Sequence, residues 1–498
     1  MKTPVFVFDS LNLVRGGLTK AVITRANMLT NEFDEVIFLT LRFQSNFHEI
    51  VNKLYDSGQL NKKIKVFNLF DDVMTNKLLP DRRIKKRKPV YQVQEKGFDI
   101  FKDKRDVPPS YRYYKNGLYI KYKRFNNKNK LVFIDYMTEG RNRYRREEFD
   151  LYGNLVVARH MDTRTNKPSL ERYLDAKGKC YLSVWIDSEG NPYRTLLLNN
   201  KQNKEFKSFF NFKADWINKK MEDITNPVLI SDSRKTDELV TSIEGKKIAV
   251  LHNNHYKKPY DGSNGFKETW DYFLNNINLF NQVVFLTDEQ REDIKKEIGE
   301  KSNYIVIPHA AAPVSNYNTN YDPLLAVSVA RYTGQKRLNE AIKAFSYVVK
   351  ELPNAEYHIY GFGEQKNSLQ KLIGELGLED NVKLKGFTTN PTEVYQKACC
   401  SILTSAYEGF GMVITESLAA GTPVVSFDVK YGPKDIIRDG VDGFVISQRN
   451  KEIMADKIIE LMTNQSLRQQ LAKNSKDVLE RFSSSDYSKH WVNIIKTV

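Results

Sequence analysis

The chain has 498 residues, 41% hydrophobic and 28% charged, with 28 Phe and 27 Tyr. At roughly 150 residues per folding unit this makes about three units with ample material for packed cores, which excludes wholesale disorder. Lys and Arg number 77 against 61 Asp and Glu, and the net charge of +16 points to an anionic partner.

The chain opens Met1-Lys2-Thr3-Pro4, followed by the short apolar run Val5–Phe8 and Asp9, without the longer apolar core of a secretory signal. Val5–Phe8 reads as a strand, about Thr19 to Asn31 as a helix, and Val36–Leu41 and Val66–Phe70 as further strands. That alternation is β-α-β grammar. Between the first strand and helix runs Asp9-Ser-Leu-Asn-Leu-Val-Arg15-Gly16-Gly17-Leu-Thr19-Lys20, where the glycine pair allows close backbone approach to a phosphate or sugar. It is neither the GxGxxG fingerprint nor a GxxxxGK[ST] phosphate loop, and a glycine pair there also serves as a plain turn.

From about residue 75 to 205 the pattern changes. Stretches such as Tyr111-Arg-Tyr-Tyr-Lys, Leu131-Val-Phe-Ile-Asp-Tyr and Tyr181-Leu-Ser-Val-Trp-Ile alternate aromatic or β-branched residues with polar ones, separated by short turns. This predicts an inserted, mainly antiparallel β domain. Residues 81–200 carry 28 Lys and Arg against 15 Asp and Glu, so +13 of the +16 is local to it. Arg141, Arg143, Arg145 and Arg146 form its densest arginine cluster outside the run Arg82–Lys88. Such a surface serves as a track for a polyanionic acceptor or as a solvated, oligomer-forming face, and its aromatic interleaving also suits single-stranded nucleic acid.

The β-α grammar resumes with a helix over Phe206–Met221, strands at Val228–Ser231, Ile248–His252 and Val283–Leu286, and a helix near Thr269–Phe280. His252 and His255 follow the second of these strands. Either imidazole could face a ligand, and His255 is the preferred candidate. A polar linker, Ser315–Pro323, precedes a second α/β unit with strands at Leu325–Val329, Glu356–Tyr360, Val382–Lys385, Cys400–Thr404 and Val424–Phe427. An amphipathic tail, Lys451–Val498, ends the chain, and no internal repeat is evident. The expected organisation is an α/β chain of two doubly wound Rossmann-like domains facing a cleft. The first domain spans 1–74 and 206–314, the basic β insertion 75–205, the second Rossmann-like domain 315–475 and a helical tail 476–498.

Two elements of the second unit carry chemistry. Glu408 and Glu416 stand in Glu408-Gly409-Phe410-Gly411-Met412-Val-Ile-Thr-Glu416, after a strand and across a glycine turn into a helix, so both can face one ligand. Amides at that helix start can take sugar hydroxyls or phosphate oxygens. In Ser328-Val-Ala-Arg331-Tyr-Thr-Gly-Gln-Lys336, two cations on a loop at a strand end can clamp a diphosphate, Arg331 as a fork and Lys336 as a point charge. No Asp-x-Asp triplet, a usual carboxylate pair for a divalent ion beside a diphosphate, occurs, so metal-independent chemistry without a cofactor is expected. Cys180, Cys399 and Cys400 form no disulfide framework, which with no apolar run of membrane-spanning length points to the cytoplasm, with peripheral contact at the membrane through the basic surface.

With Gly361-Phe-Gly-Glu364, Gly386-Phe387-Thr388 and the Gly16-Gly17 loop, these elements resemble the retaining, GT-B glycosyltransferases of family 4. Together with the Tyr/Arg-rich insertion, Asn254-His255 and Phe427-Asp-Val-Lys-Tyr-Gly-Pro433, they resemble more narrowly the teichoic acid α-glycosyltransferases. The resemblance implies that Arg331 and Lys336 hold the donor diphosphate, Glu416 the ribose, and Phe387, Thr388 and Thr389 the uracil. It places Glu408 and His255 by the donor sugar and Gly16-Gly17 over the diphosphate. The implied reaction moves glucose, or N-acetylglucosamine, from its uridine diphosphate onto poly(glycerol-phosphate) or poly(ribitol-phosphate). The insertion then mediates assembly into a homo-oligomer, such as a trimer. The rival readings are glycosylation of Ser/Thr on a secreted adhesin, which the basic insertion disfavours, and a nucleic-acid-binding protein on a dead transferase fold, which the intact Arg331, Lys336, Glu408 and Glu416 disfavour.

Overall fold

The computed structural model describes residues 2–13, 16–77, 92–103, 108–198, 203–317 and 320–498. Val14 and Arg15 of the glycine motif, the basic run Arg82–Lys88 and part of the polar linker lie outside them. Backbone contacts divide the chain into two compact units. The first comprises Met1–Arg15, Phe33–Leu229 and Leu239–Gly245; the second comprises Gly16–Glu32, Ile230–Glu238 and Lys246–Val498.

In the first unit the strands Thr3–Phe8, Val36–Thr40 and Ile64–Asn68 run parallel, Val5 opposite Ile37 and Phe38 opposite Val66. The two strands Thr3–Phe8 and Val36–Thr40 are apolar almost throughout and nearly fully buried, as parallel strands covered on both faces require. The insertion is one sheet of ten strands, from Asp99–Lys102 to Asn203–Phe206, each paired antiparallel with the next in sequence. Its turns repeat. Asn126, Thr138, Asp150, Asp162, Asp175 and Asp187 recur every twelve or thirteen residues, and each accepts backbone amides of its own turn through a side-chain oxygen. The insertion is therefore an internal repeat at the level of its hairpins, contrary to the expectation of none. The signal is one short polar residue per hairpin, too sparse to stand out against dissimilar strands.

The second unit contains a parallel three-stranded ladder, Lys246–Val250, Gln282–Phe285 and Tyr304–Val306. It also contains a six-stranded parallel sheet in the order Val382–Gly386, Glu356–Tyr360, Asp322–Val329, Ala398–Leu403, Val424–Phe427 and Gly443–Ile446. The strand order reverses between Asp322–Val329 and Ala398–Leu403, which is where such sheets open for a ligand. Behind the sheet, Ile342, Phe345 and Val348 of the helix Leu338–Glu351 pack with Met454, Ile458 and Leu461 of the helix Lys451–Thr463.

Two helical expectations change. Thr269–Phe280 is not one helix: 3₁₀ turns at Glu268–Trp270 and Ile277–Leu279 flank the short helix Asp271–Asn275. The Asn276 side chain donates to the Tyr272 carbonyl at 2.8 Å, the local competition that ends asparagine-rich helices. The tail is four helices, from Lys451–Thr463 to Ser484–Thr497, three of them capped by the side chains of Asn450, Asn464 and Ser483. Among the described residues no helix is long and apolar enough to cross a membrane.

Candidate active site

The site is built where the buried strand Ala398–Leu403 ends and the helix Met412–Ala419 begins, all within the second unit. The intervening loop is shaped by glycines. Gly411 starts the helix at φ 92°, in the left-handed region. A Cβ on Gly409 would lie 1.9 Å from the His252 carbonyl oxygen, so no other residue fits without backbone movement.

Glu408, 7% exposed, hangs from this loop. Its Oε1 accepts from Lys336 Nζ at 2.6 Å and from Ser405 Oγ at 2.5 Å. Its backbone is gripped as well: Glu408 N donates to Lys430 O at 2.9 Å, and Tyr431 N donates to Glu408 O at 3.1 Å. Lys430 and Tyr431 are in turn held by Asp293, whose Oδ2 accepts from Lys430 Nζ at 2.5 Å and from the Tyr431 hydroxyl at 2.9 Å. Burial and the Asp293 carboxylate push the Tyr431 phenol far above its ordinary range, so it stays a donor.

Arg331 and Lys336 share the loop after the strand Asp322–Val329. The Arg331 guanidinium is exposed and donates to Gln335 Oε1 at 3.3 Å, and among the described residues no carboxylate pairs with it. Glu416 lies on the helix Met412–Ala419, where its Oε1 accepts from Lys20 Nζ at 2.6 Å. Among the described residues, chain neighbours apart, Gly16 has no atom within 4 Å of a notional Cβ, and Gly17 meets only the Met412 sulfur at 3.9 Å. Neither has positive φ, so protein packing does not require glycine at these two positions and the space in front of them is open. Phe387, 59% exposed, stands at the end of the strand Val382–Gly386, its ring 5.9 Å from that of Phe362, which is 52% exposed. Thr388 Oγ accepts the Asn390 amide at 3.1 Å, and Thr389 is exposed beside it.

The two imidazoles part company. His255 is fully enclosed, its ring 4.1 Å from Tyr256, 5.5 Å from Phe266, 5.6 Å from Trp270 and stacked 5.8 Å from Tyr431. Burial pulls its pKa down to about 3, so it is a neutral core residue. His252 is the imidazole whose backbone abuts Gly409 and whose Nε2 lies 2.7 Å from Asp232 Oδ1. Burial alone would raise the Asp232 pKa, but Arg25, donating to both carboxylate oxygens at 2.7 and 2.5 Å, and His252 outweigh it and hold Asp232 ionised. Spacing in the sequence does not separate the two histidines, because both follow the same strand.

The insertion arginines are largely spent within their own sheet. Arg146 donates to both oxygens of Asp135 at 2.6 and 2.7 Å and lies 4.1 Å from the Phe133 ring centre. Arg143 also reaches Asp135, at 3.3 Å, and Arg145 pairs with Glu147. Arg141, at φ 61° in a hairpin turn, is exposed.

Two cations, two carboxylates and a helix N-terminus gathered at the ends of parallel strands can bind a diphosphate and stabilise it as it departs. Among the described residues no group of three or more His, Cys, Asp or Glu is arranged to hold a metal ion.

The family signature "Glycosyl transferases group 1" matches residues 314–478, and "Glycosyl transferase 1 domain A" matches residues 5–193. A Bacillus subtilis (strain 168) protein named poly(glycerol-phosphate) alpha-glucosyltransferase is 32% identical, over 98% of this chain and 74% of that protein. A Staphylococcus aureus (strain COL) protein named poly(ribitol-phosphate) alpha-N-acetylglucosaminyltransferase is 28% identical over the full length of both. Among solved structures, a variant of S. aureus TarM in complex with fondaparinux, α-GlcNAc-glycerol and UDP superposes with a TM-score of 0.84 at 26% identity, covering 100% of both chains.

Proposed function

The chain belongs to the group 1 glycosyl transferases, with the GT-B fold, and from that premise we propose that it transfers glucose from UDP-glucose, with retention, onto hydroxyls of poly(glycerol-phosphate). The observation that carries this reading is the Lys336–Glu408 pair beside the exposed Arg331 guanidinium, on the loops at the open end of the six-stranded sheet. Arg331 and Lys336 hold the diphosphate, and Glu416 holds the ribose, exchanging its bond to Lys20 for the ribose hydroxyls. Phe387, with Phe362 at its edge, carries the uracil between Thr388 and Thr389. Gly16 and Gly17 leave room for the diphosphate, and the amides of Gly409, Phe410, Gly411 and Met412 face the donor. Of the two imidazoles, His255 stacks on Tyr431 beside the Glu408 loop and keeps the place by the donor sugar that the sequence preferred, with His252, whose main-chain carbonyl abuts Gly409 and whose ring is held by Asp232, as the alternative.

Chemically, the bond from the sugar C1 to the diphosphate oxygen breaks and the bond from C1 to the acceptor oxygen forms on the same face. The departing diphosphate accepts the acceptor's proton, and its charge is stabilised by Arg331, Lys336 and the helix amides without a metal ion. Glucose and glycerol-phosphate are preferred over N-acetylglucosamine and ribitol-phosphate because the relative named for the first pair has the higher identity, 32% against 28%. The insertion joins copies of the chain, for which the exposed Phe101, Leu118 and Tyr193 provide apolar surface. Its excess charge holds the polymer and favours the inner membrane surface.

The decisive experiment offers UDP-glucose and UDP-N-acetylglucosamine with purified glycerol- and ribitol-phosphate polymers, with and without EDTA. Glucose should appear on the glycerol polymer at the same rate in both conditions. Transfer only of N-acetylglucosamine to the ribitol polymer would reassign donor and acceptor, and loss in EDTA restored by Mn²⁺ would overturn metal independence.

A further inference from the structure

The carboxylate of Glu408 receives two donors, and both bind the same oxygen. Lys336 Nζ reaches Oε1 from the loop after the strand Asp322–Val329, and Ser405 Oγ reaches it from the end of the strand Ala398–Leu403. A lysine alone would leave the carboxylate free to turn about its terminal bond, since an ammonium accepts many approach directions. A second donor from a different direction removes that freedom.

Ser405 itself is 1% exposed and held firmly. Arg449 Nη1 donates to the Ser405 carbonyl at 2.8 Å, and Arg449 Nη2 to the Thr404 carbonyl at 2.7 Å. The same guanidinium is tied to Glu340 through Nε at 3.0 Å and Nη2 at 2.7 Å, and lies 4.8 Å from the Phe427 ring centre. Glu340 also accepts from Arg337 Nη1 at 3.0 Å, and the Thr404 hydroxyl donates to the carbonyls of Lys336 and Arg337 at 3.2 and 3.1 Å. The loop carrying Lys336 and the strand end carrying Ser405 are thus bound to each other by a closed set of hydrogen bonds.

We propose that Ser405, braced by Arg449 and Glu340, is a positioning residue that fixes the Glu408 carboxylate with Oε1 on Lys336 and leaves Oε2 to act on the donor sugar. The inference rests on the proposed place of Glu408 beside the transferred sugar. It assigns Ser405 to turnover and not to nucleotide binding, because its hydroxyl is spent on Glu408.

The test compares kcat and UDP affinity for Ser405→Ala and Ser405→Cys, and closes a double-mutant cycle with Glu408→Gln using a radiolabelled donor. A hydrogen bond to a charged group of this kind is worth about a 10- to 100-fold loss of kcat in Ser405→Ala, and UDP affinity is expected to stay unchanged. The weaker thiol donor of Ser405→Cys recovers part of the loss. In the Glu408→Gln background, Ser405→Ala has no further effect on residual turnover. Wild-type kcat in Ser405→Ala, or the same loss in both backgrounds, overturns the proposal, the second result marking a purely structural residue. Should Ser405→Ala fail to bind UDP because the loop collapses, Arg449→Lys serves instead. It keeps a cation for Glu340 but cannot reach both carbonyls, and lowered kcat with retained UDP binding is expected, whereas unchanged kcat overturns the brace. Full activity of Glu408→Gln itself removes the proposed active site, while an inactive Glu408→Gln beside a fully active Ser405→Ala removes only the role of Ser405.

Discussion

Glu408 and Lys336 form an ion pair that is almost out of solvent, with side chains 9% and 12% exposed, although both stand on loops. Removing one partner leaves the other's charge uncompensated, so Glu408→Ala and Lys336→Ala disturb the loop as well as the chemistry. Glu408→Gln, which keeps the shape, isolates the chemical effect. Lys336→Ala and Glu408→Gln are each expected to lower kcat by about 100-fold or more, as loss of a preorganised charge at a departing anion does. Near-normal turnover in either, measured with saturating donor, contradicts the assignment. The residue types were legible because a strand, a glycine turn and a helix are local patterns. The pairing was not: Lys336 and Glu408 are 72 positions apart, and Ser405 and Arg449 44. Ser405 heads the glutamate motif, three residues before Glu408, but the sequence gives it no role because a serine after a strand is common, and Arg449 draws no notice because its left-handed backbone at φ 51° is invisible in the sequence.

Among the elements, strands were read most reliably and helices least where asparagines crowd. The parallel strands stood out as continuous apolar runs between turn residues, and Ala398–Leu403 is buried along its whole length. The ten-stranded sheet stood out through alternation, yet what sets its hairpins is a single side chain in each turn. Asp150, 2% exposed, accepts from Tyr152 N at 2.9 Å and Asn154 N at 2.8 Å through one oxygen, and from the Asn154 side chain at 2.8 Å through the other. Asp150→Ala leaves those amides unsatisfied in a buried turn and is expected to cost about 1–3 kcal/mol, read as a lowered Tm. Asp187→Ala, at a turn whose amide donors are solvent-exposed, should lower it by much less, since water replaces the lost acceptor. Equal shifts would mean that the turns do not differ in the way their burial indicates.

For the molecule as a whole, the net charge of +16 is the property most visible in the sequence and the one most altered in meaning by the fold. Arg143 and Arg146 converge on Asp135, and Arg145 on Glu147, so these arginines hold the sheet together. Charge available to a polymer sits instead in the turns, at Lys128, Arg141 and Arg164, all exposed. Reversing these three to Glu is expected to raise KM for a long polyol-phosphate polymer several-fold at low salt while sparing a short acceptor, the mark of local polymer capture. Equal effects on both acceptors leave the track without support. Arg146→Glu is expected to lower Tm instead, because it sets a carboxyl against Asp135 in place of the cation that pairs with it.

Length, apolar periodicity and the spacing of Glu408, Glu416, Arg331 and Lys336 were enough to specify two doubly wound domains, a β insertion and a diphosphate-binding pair of loops, because each of these is written over a few neighbouring positions, whereas the nucleotide sugar came from the family resemblance. Which histidine abuts the catalytic loop, which arginines remain exposed, and how Ser405 and Arg449 hold Glu408 depend on contacts between segments far apart in the chain. Lys20 and Glu416, 396 positions apart, meet at 2.6 Å only once the α/β layers have packed. Burial likewise acts only in the folded chain: it lowers the pKa of both imidazoles, His255 enclosed beside Tyr256 and Tyr431 and His252 held against Asp232.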